Sequence, residues 1–292
     1  MTTLLTGATG FVGGHVLRAI EGDVRCLVRQ PEAVGDLGRP CEIVRGDVTD
    51  PDSLRRAAEG CDAVVHLVAI IAGGPGDFER IMVQGTRDLL AAAKAAGTGR
   101  WLQMSALGTN ERSKDVVPYY GAKWAMEQDV KASGLEWTIF RPSFVFGREG
   151  GVLPQFVRQV RWSPLVPVVG DGERKLQPIW ADDVAACFAR ALGSADATGR
   201  TFELGGPDRV TWNELYLRIA RTLGKRRRLV HVPVELARTG AALAERLPSP
   251  PVTRDMLTML ELEDNVTDDR SAAEVLGVEP IGLDEQLRRA VE

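Results

Sequence analysis

Tyr119 and Lys123 are the two side chains whose types and spacing best fit acid–base chemistry. They are four residues apart in a predicted helix, so both project from one face of it. A tyrosine hydroxyl has a pKa of about 10 and transfers protons poorly at neutral pH unless a nearby cation stabilises the phenolate. A lysine one turn away supplies that cation. Such pairs also arise by chance on amphipathic helices, so the interpretation depends on where the pair lies in the chain.

Three glycines near the start of the chain have the spacing of a phosphate-binding turn. Gly7, Gly10 and Gly13 follow a short apolar strand that begins at Thr2, and they lead into a predicted helix. In a dinucleotide-binding βαβ unit the first glycine permits a tight turn, and the second lets the backbone approach the pyrophosphate. The third allows the helix to pack closely on the strand. The helix N-terminus adds N–H groups and positive potential for phosphates, so the pattern predicts nucleotide binding.

Predicted strands and helices alternate over the first 140 residues. Strands are expected at 24–29, 42–48, 63–69, 101–105 and 137–141, and helices at 52–59, 79–96 and 119–133. The run at 63–69 is almost wholly apolar, as in a strand buried on both faces of a parallel sheet. This alternation predicts an α/β fold, a doubly wound parallel Rossmann sheet.

Beyond residue 147 the alternation breaks down among prolines. Helices are predicted at 182–192, 211–223 and 234–247, a strand at 201–204, and a turn at 248–251. We therefore predict a Rossmann nucleotide-binding domain at 1–147 and about 174–206. A smaller, mostly helical substrate or partner lobe, at about 148–173 and 207–292, would interleave with it and cover the carboxyl ends of its strands, where ligands bind in such folds.

Composition limits the classes of protein to consider. The 292 residues include 36 basic and 40 acidic ones, a net charge of −4, which does not favour a nucleic-acid partner. The one basic cluster, 225–228, follows Gly224, and a solvated helix end explains it better than a nucleic-acid patch. The scattered cysteines fit reduced thiols in a cytoplasmic protein, and neither a signal peptide nor a membrane span is expected.

Arg29 lies at the predicted end of the second strand, where dinucleotide folds discriminate between cofactors. An acidic residue there would bond the ribose hydroxyls of NAD, whereas an arginine accommodates the 2′-phosphate of NADP. NADP(H) is therefore favoured and NAD(H) remains possible, since a surface arginine at a strand end is also common. Asp47 and Val48 follow the third strand, where they would contact the adenine or form an ordinary turn.

The chain resembles the short-chain dehydrogenase/reductase superfamily in its extended and atypical branches, which include the NAD-dependent epimerases and dehydratases. The resemblance rests on Thr6-Gly7-Ala8-Thr9-Gly10-Phe11-Val12-Gly13, Gly46-Asp47-Val48, Tyr119-x-x-x-Lys123, Arg141 to Gly147 and Gln177 to Ala185. The segments 104–108 and 262–266 also look like bacterial relatives of the nucleotide-binding accessory subunit of respiratory complex I.

The resemblance implies a catalytic set of Tyr119, Lys123 and a Ser or Thr, for which Ser105 is the one hydroxyl near the end of the fifth strand. Ser105 lies one or two positions early for that role, and Ala122 stands where many relatives have serine. The cofactor-binding residues that follow are Gly7, Thr9, Gly10, Phe11, Val12, Gly13, Arg29, Asp47, Val48, Leu67, Val68, Ala69, Ser105, Lys123, Pro142, Phe144 and Val145.

Three functions remain open at this point. The first is an NADP(H)-dependent oxidoreductase, or an epimerase or dehydratase, acting on a carbonyl, an alcohol or a sugar nucleotide through Tyr119 and Lys123. The second is a non-catalytic structural or sensor protein that binds the nucleotide, as a homodimer or in peripheral association with a respiratory complex. The third is a quinone- or lipid-linked reductase.

Two further features have simpler explanations than catalysis. His66 lies inside the fourth strand, where a hydrogen-bonded core histidine is commoner than a catalytic one. Asp182 and Asp183 look like a paired-carboxylate metal site, but no further ligand lies at suitable spacing. Capping of the next helix by Asp182 explains them better, so no metal is expected.

Overall fold

The structure, a computed structural model, describes residues 1–74, 76–245 and 252–292. It divides the chain into two compact units, each built from three segments. The first comprises Met1–Pro142, Ala181–Leu204 and Asp269–Glu279. The second comprises Ser143–Trp180, Gly205–Asp268 and Pro280–Glu292.

The strands are β1 (Thr2–Thr6), β2 (Asp23–Val28), β3 (Glu42–Arg45), β4 (Ala63–His66), β5 (Arg100–Met104), β6 (Glu136–Pro142), β7 (Val145–Phe146), β8 (Leu165–Val169), β9 (Lys175–Leu176), β10 (Ile179–Trp180), β11 (Arg200–Leu204), β12 (Val210–Thr211) and β13 (Arg228–Val232). The α-helices are α1 (Phe11–Ala19), α2 (Pro51–Ala58), α3 (Gly85–Ala95), α4 (Pro118–Lys131), α5 (Leu153–Trp162), α6 (Ala181–Leu192), α7 (Trp212–Thr222), α8 (Val234–Ala244), α9 (Arg254–Leu262), α10 (Ser271–Leu276) and α11 (Leu283–Val291).

A seven-stranded parallel sheet forms the centre of the first unit. Its order is β11-β6-β5-β4-β1-β2-β3, with β1 paired to both β2 and β4. The sequence prediction of a doubly wound Rossmann sheet is confirmed. Apolar side chains from the sheet and its helices make the core, among them Leu4, Val64, Trp101 and Ile139, all fully buried.

The predicted helix at 79–96 consists of two different helical segments. Phe78–Gln84 is π-helical, and α3 follows it directly from Gly85. A Cβ on Gly85 would lie 3.1 Å from both the Cβ and the carbonyl oxygen of Val48. The missing side chain thus lets the start of α3 approach the loop after β3 closely.

The described residues of the second unit form three two-stranded pairs as well as helices. β7 pairs with β10 and β8 with β13, both in parallel, and β9 pairs with β12 in the antiparallel sense. The sequence analysis missed α5, because Pro154 looked like a helix breaker. Pro154 lies in the first turn of α5, where its missing N–H costs no hydrogen bond.

The second unit has its own apolar core, to which Phe146, Leu153, Leu215 and Leu287 contribute fully buried side chains. The predicted end of a helix at 247 and the turn at 248–251 lie outside the described residues. None of the helices in the described ranges has both the length and the apolar character that a bilayer span requires.

Candidate functional site

The carboxyl ends of the parallel strands place most of the predicted site residues along one edge of the sheet. The register sets Thr6 beside His66 and Met104 beside Phe140, so β1, β4, β5 and β6 end at the same side. The glycine turn, the loops after β2, β3 and β4, and Ser105 all follow such ends. This edge is where open α/β sheets bind ligands.

The three glycines of the turn differ in what requires them: a left-handed backbone conformation at Gly7, open space at Gly10 and a close helix contact at Gly13. Gly7 has a φ of +82°, a conformation that favours glycine. A Cβ on Gly13 would lie 1.9 Å from the Gly7 carbonyl oxygen, so α1 packs directly on the turn. Among the described residues, a Cβ on Gly10 would meet only that oxygen, at 3.2 Å, and no side chain caps α1. The exposed side of Gly10 and the free first-turn N–H groups therefore fit a pyrophosphate.

Three residues predicted to contact the adenosine part lie after β2 and β3. Arg29 is exposed, and within the described ranges its guanidinium makes no ion pair or hydrogen bond. Asp47 accepts hydrogen bonds from the Thr49 amide and hydroxyl, both at 2.8 Å, so one carboxylate oxygen already forms a local turn. Val48 is buried against Gly85.

The remaining predicted cofactor residues divide between the two units. Leu67, Val68 and Ala69 lie just past β4. A Cβ on Gly7 would lie 3.3 Å from the backbone carbonyl carbon of Leu67, so this segment packs against the glycine turn. Pro142 is the last residue of β6 in the first unit. Phe144 and Val145 belong to the second unit, and their part in the site stays a prediction.

Tyr119 and Lys123 lie on one face of α4, as their spacing predicts. The Lys123 side chain is 2% exposed, and its ammonium donates a hydrogen bond to the Met104 carbonyl at 2.8 Å. The same ammonium lies 5.8 Å from the centre of the Tyr119 ring. In the part of the chain that the structure describes, the Tyr119 hydroxyl has no hydrogen-bond partner.

The electrostatics of this pair differ from the sequence expectation. Burial lowers the pKa of Lys123 to about 8, while the charge of Glu127 acts in the opposite direction. Burial raises the pKa of Tyr119 above its usual range, and the neighbouring Tyr120 adds to the effect. The lysine lies over the ring and donates its hydrogen bond to a backbone carbonyl, and desolvation is the main influence on the phenol. Tyr119 is therefore a protonated phenol at neutral pH.

Ser105 is committed to a partner that the sequence analysis did not identify. Its hydroxyl donates a hydrogen bond of 2.6 Å to Oε1 of Glu127, and both side chains are buried. Arg141 holds the same carboxylate with Nε at 2.9 Å and Nη2 at 2.7 Å, a two-pronged charged pair. The role of Ser105 toward a substrate stays a prediction, since its proton is directed at Glu127 in this structure.

Glu127 could have been suspected from its position four residues after Lys123 on α4. An acid on the buried face of a helix needs a partner, because an isolated buried carboxylate is costly. Arg141 is also 3.5 Å from Glu203 of β11. That partnership joins α4, β6 and β11, and no local pattern in the sequence reveals it.

His66 is fully buried, as predicted for a core histidine, and it links three elements. Its Nδ1 lies 2.6 Å from the Thr6 hydroxyl, and its Nε2 lies 3.1 Å from the Thr86 hydroxyl. Thr86 donates its own proton to the Met82 carbonyl, so its oxygen accepts from Nε2–H and Thr6 donates to Nδ1. Burial, helped by the charge of Lys123, lowers the pKa of His66 to about 3.

Asp182 plays a different part from the predicted cap. Helix α6 begins at Ala181, so Asp182 lies within its first turn, and its carboxylate is 2.5 Å from Nδ1 of His15 on α1. Among residues 1–74, 76–245 and 252–292, no three His, Cys, Asp or Glu side chains are grouped so that they could hold a metal ion.

Comparison with known proteins identifies the family. A family described as NAD(P)H-binding matches residues 7–194. The chain is 30% identical to NADH dehydrogenase (ubiquinone) 1 alpha subcomplex subunit 9, mitochondrial, of Rattus norvegicus, covering 97% of this chain and 78% of that protein. It is 32% identical to (4-alkanoyl-5-oxo-2,5-dihydrofuran-3-yl)methyl phosphate reductase of Streptomyces griseus, covering 88% of this chain and 86% of that protein.

A solved structure has the same fold at lower identity. UDP-glucose 4-epimerase of Thermotoga maritima superposes with a TM-score of 0.78 at 22% identity, covering 100% of this chain and 97% of that chain. The glycine turn, the parallel sheet and these relatives agree on one assignment. The chain belongs to the NAD(P)H-binding family, within the atypical short-chain dehydrogenases/reductases.

Proposed function

We propose that this protein is an NADP(H)-dependent reductase of a small carbonyl compound or sugar nucleotide, in which Tyr119 is the proton donor. The observation that carries the proposal is the free Tyr119 hydroxyl beside a buried Lys123 at the carboxyl end of β5. Reduction of a carbonyl requires a proton at the oxygen. A phenol with a raised pKa is already in the protonated form that can donate it.

The residues of the first unit have distinct parts in this reaction. The glycine turn and the N-terminus of α1 bind the pyrophosphate, and Arg29 binds the 2′-phosphate. The reduced nicotinamide, when bound, supplies a hydride to the carbonyl carbon. Tyr119 gives its proton to the alkoxide oxygen, which completes the alcohol, and solvent returns a proton to the phenolate. The Lys123 cation lowers the cost of that phenolate.

Glu127 and Arg141 act through Ser105 in this proposal. Since the serine hydroxyl donates to a buried carboxylate, it presents its oxygen lone pairs, not its proton, to any neighbouring group. Ser105 then serves as a positioning residue that ties the end of β5 to α4. Polarisation of the substrate carbonyl falls to Tyr119 alone.

A second candidate is a structural role for the bound nucleotide. It is favoured by the commitment of Ser105 to Glu127, which removes the hydroxyl that catalytic members use. It is also favoured by the 30% identity to a subunit of NADH dehydrogenase over 97% of this chain. In that case Tyr119 and Lys123 would only contact the nucleotide.

A matched pair of tyrosine variants separates the two candidates. Tyr119→Phe removes the free hydroxyl, and Tyr120→Phe makes the same change at a buried neighbour whose hydroxyl is 3.4 Å from the Leu107 carbonyl. NADPH affinity is measured by calorimetry, and turnover by NADPH absorbance with aldehydes, ketones, sugar nucleotides and quinones. The reductase proposal expects Tyr119→Phe to bind NADPH normally and lose at least about 100-fold in kcat, with Tyr120→Phe active. If no compound is reduced by the native protein faster than by Tyr119→Phe, the structural role replaces it.

A further inference from the structure

One surface of the second unit is at once apolar and basic. We define the Trp162 surface by Trp162, Leu165 and Val230 together with Lys225, Arg226 and Arg228. The Trp162 side chain is 78% exposed, and Leu165 and Val230 are 53% and 42% exposed. A single exposed apolar residue is ordinary, but a large aromatic ring beside further exposed aliphatic side chains marks an interaction surface.

The pairing of β8 with β13 brings these residues together. Arg228 lies opposite Leu165 and Val230 lies opposite Pro167. Side chains alternate between the faces of a strand, so Leu165, Pro167, Arg228 and Val230 share the outer face. Val166 and Val168, on the other face, are buried in the core of the unit.

Arg227 fixes the basic segment against the end of α5. Its guanidinium donates to the carbonyls of Val160 at 2.6 Å and Arg161 at 2.9 Å. These are carbonyls of the last turn of the helix, which lack intrahelical partners. Trp162 ends α5, so the same contact keeps Lys225, Arg226 and Arg228 close to the indole.

The sequence segments that form the Trp162 surface carry ionised side chains of one sign. The stretches 150–170 and 215–234 contain eight Lys and Arg residues and no Asp or Glu, although the whole chain carries −4. Arg158 and Arg161 of α5 are exposed, as are Lys225, Arg226 and Arg228. Within the described ranges, none of these five side chains forms an ion pair. The surface is therefore a local cation field on an otherwise acidic protein.

We propose that the Trp162 surface docks this protein on an anionic lipid bilayer. Tryptophan is the side chain that favours the headgroup region, because its ring is amphipathic. Free Lys and Arg around an apolar centre add attraction to acidic headgroups. Because the net charge of the chain is negative, attraction to an anionic membrane requires a local basic surface such as this one.

Two other occupants fit the surface less well. In a two-fold dimer the same patch would face itself, so Arg226 and Arg228 would meet like charges. A nucleic acid would satisfy the cations through its phosphates, but it offers nothing apolar to Leu165 and Val230 in a backbone contact. Both alternatives become outcomes of the test.

Vesicle flotation with the full chain tests the proposal. The protein is mixed with vesicles of phosphatidylglycerol and phosphatidylcholine in equal parts, or with phosphatidylcholine alone. We expect binding to the acidic vesicles only, weakened by salt as charge screening requires. The double variant Arg226→Glu/Arg228→Glu should bind at least about tenfold more weakly. Arg55→Glu/Arg56→Glu, which makes the same charge change on exposed residues of α2, should bind like the native protein.

A second measurement tests the indole directly. Lipids with brominated chains quench a tryptophan that inserts, so part of the native fluorescence should fall on binding, and Trp162→Ala should abolish that loss. Circular dichroism confirms that each variant is folded. Equal binding to neutral vesicles, or unchanged binding by the Arg226→Glu/Arg228→Glu variant, overturns the proposal. So does a dimer that Trp162→Ala dissociates, or an affinity for duplex DNA that exceeds the affinity for acidic vesicles.

Discussion

At the scale of single residues, Lys123 combines a buried ammonium with a partner that carries no full charge. Its hydrogen bond to the Met104 carbonyl replaces only part of the water that it loses, so burial lowers its pKa from 10.5 to about 8. The buried charge of this lysine is therefore a cost to stability.

That cost makes stability depend on pH. Between about pH 8 and 10.5 the unfolded chain binds more protons at this position than the folded chain, so the free energy of unfolding rises with pH there. Lys123→Met lacks this contribution. At pH 7 the variant therefore gains free energy of unfolding relative to the native protein, because it buries no charge. That gain should decrease by about 3 kcal/mol between pH 7 and pH 10.5, where Lys123 of the native protein becomes neutral. Urea unfolding of both proteins measures it, and a pH-independent difference would contradict the assigned pKa.

Arg29 is expected to determine the choice of cofactor, because its guanidinium is exposed and unpaired among the described residues. Native protein should bind NADPH more tightly than NADH by at least about 1.4 kcal/mol, a tenfold ratio. Arg29→Ala should erase most of that difference by weakening NADPH alone. Arg45→Ala is the control, since Arg45 ends β3 and is already paired with Glu32 at 2.5 Å. Calorimetric titration with each cofactor measures these affinities. Equal affinities of the native protein for NADPH and NADH would contradict the role of Arg29.

At the scale of elements, the turn from β1 into α1 separates a binding position from a packing position. Gly10→Val places its Cβ against one carbonyl oxygen at 3.2 Å, so the fold should lose only about 1 kcal/mol while nucleotide binding is abolished. Gly13→Ala places its Cβ 1.9 Å from the Gly7 oxygen, which should destabilise by more than about 3 kcal/mol. Thermal unfolding and NADPH titration distinguish the two variants. Comparable melting temperatures for both would contradict the assignment of Gly13 to packing and Gly10 to binding.

His66 joins β1, β4 and the start of α3 in its neutral form. The unfolded chain protonates this histidine below about pH 6.5, and the folded chain does so only near pH 3, so stability is lost as pH falls through that interval. The loss is about 3 kcal/mol at pH 4. In His66→Gln, which keeps hydrogen-bonding groups, stability should fall less steeply between pH 6.5 and 4. His231→Gln, at an exposed histidine 3.0 Å from Asn213, should follow the native profile. Identical acid profiles for all three proteins would contradict the buried neutral histidine.

Elements with a local signal were predictable, and those that depend on distant partners were not. The apolar run at 63–69 and the spacing of Tyr119 and Lys123 are read from neighbouring residues, and the structure places both on the elements expected. The pairing of β8 with β13 joins segments more than 60 residues apart, and neither strand has a clear alternating pattern. The Glu127–Arg141 pair is equally non-local. Helix α5 was not predicted because a proline ends a helix in its interior but is tolerated in its first turn, where Pro154 lies.

At the scale of the whole molecule, the chain crosses between its two units five times. It leaves the first unit after Pro142, returns at Ala181, leaves again after Leu204, and returns for Asp269–Glu279 before ending in the second unit. The edge strand β11 and its neighbour β6 are separated in the sequence by a segment of the second unit. Neither unit is a continuous stretch that a simple truncation would preserve.

During synthesis on the ribosome, this order of segments delays completion of the sheet. When Pro142 has emerged, six strands are available, but β6 still presents a bare edge until Arg200–Leu204 is made. The nascent chain must therefore hold an unpaired strand edge through the translation of more than 50 further residues. An exposed parallel edge is a site for wrong pairing with other chains. Chaperone dependence should therefore be greatest in that interval of translation, and least after α6 and β11 have docked.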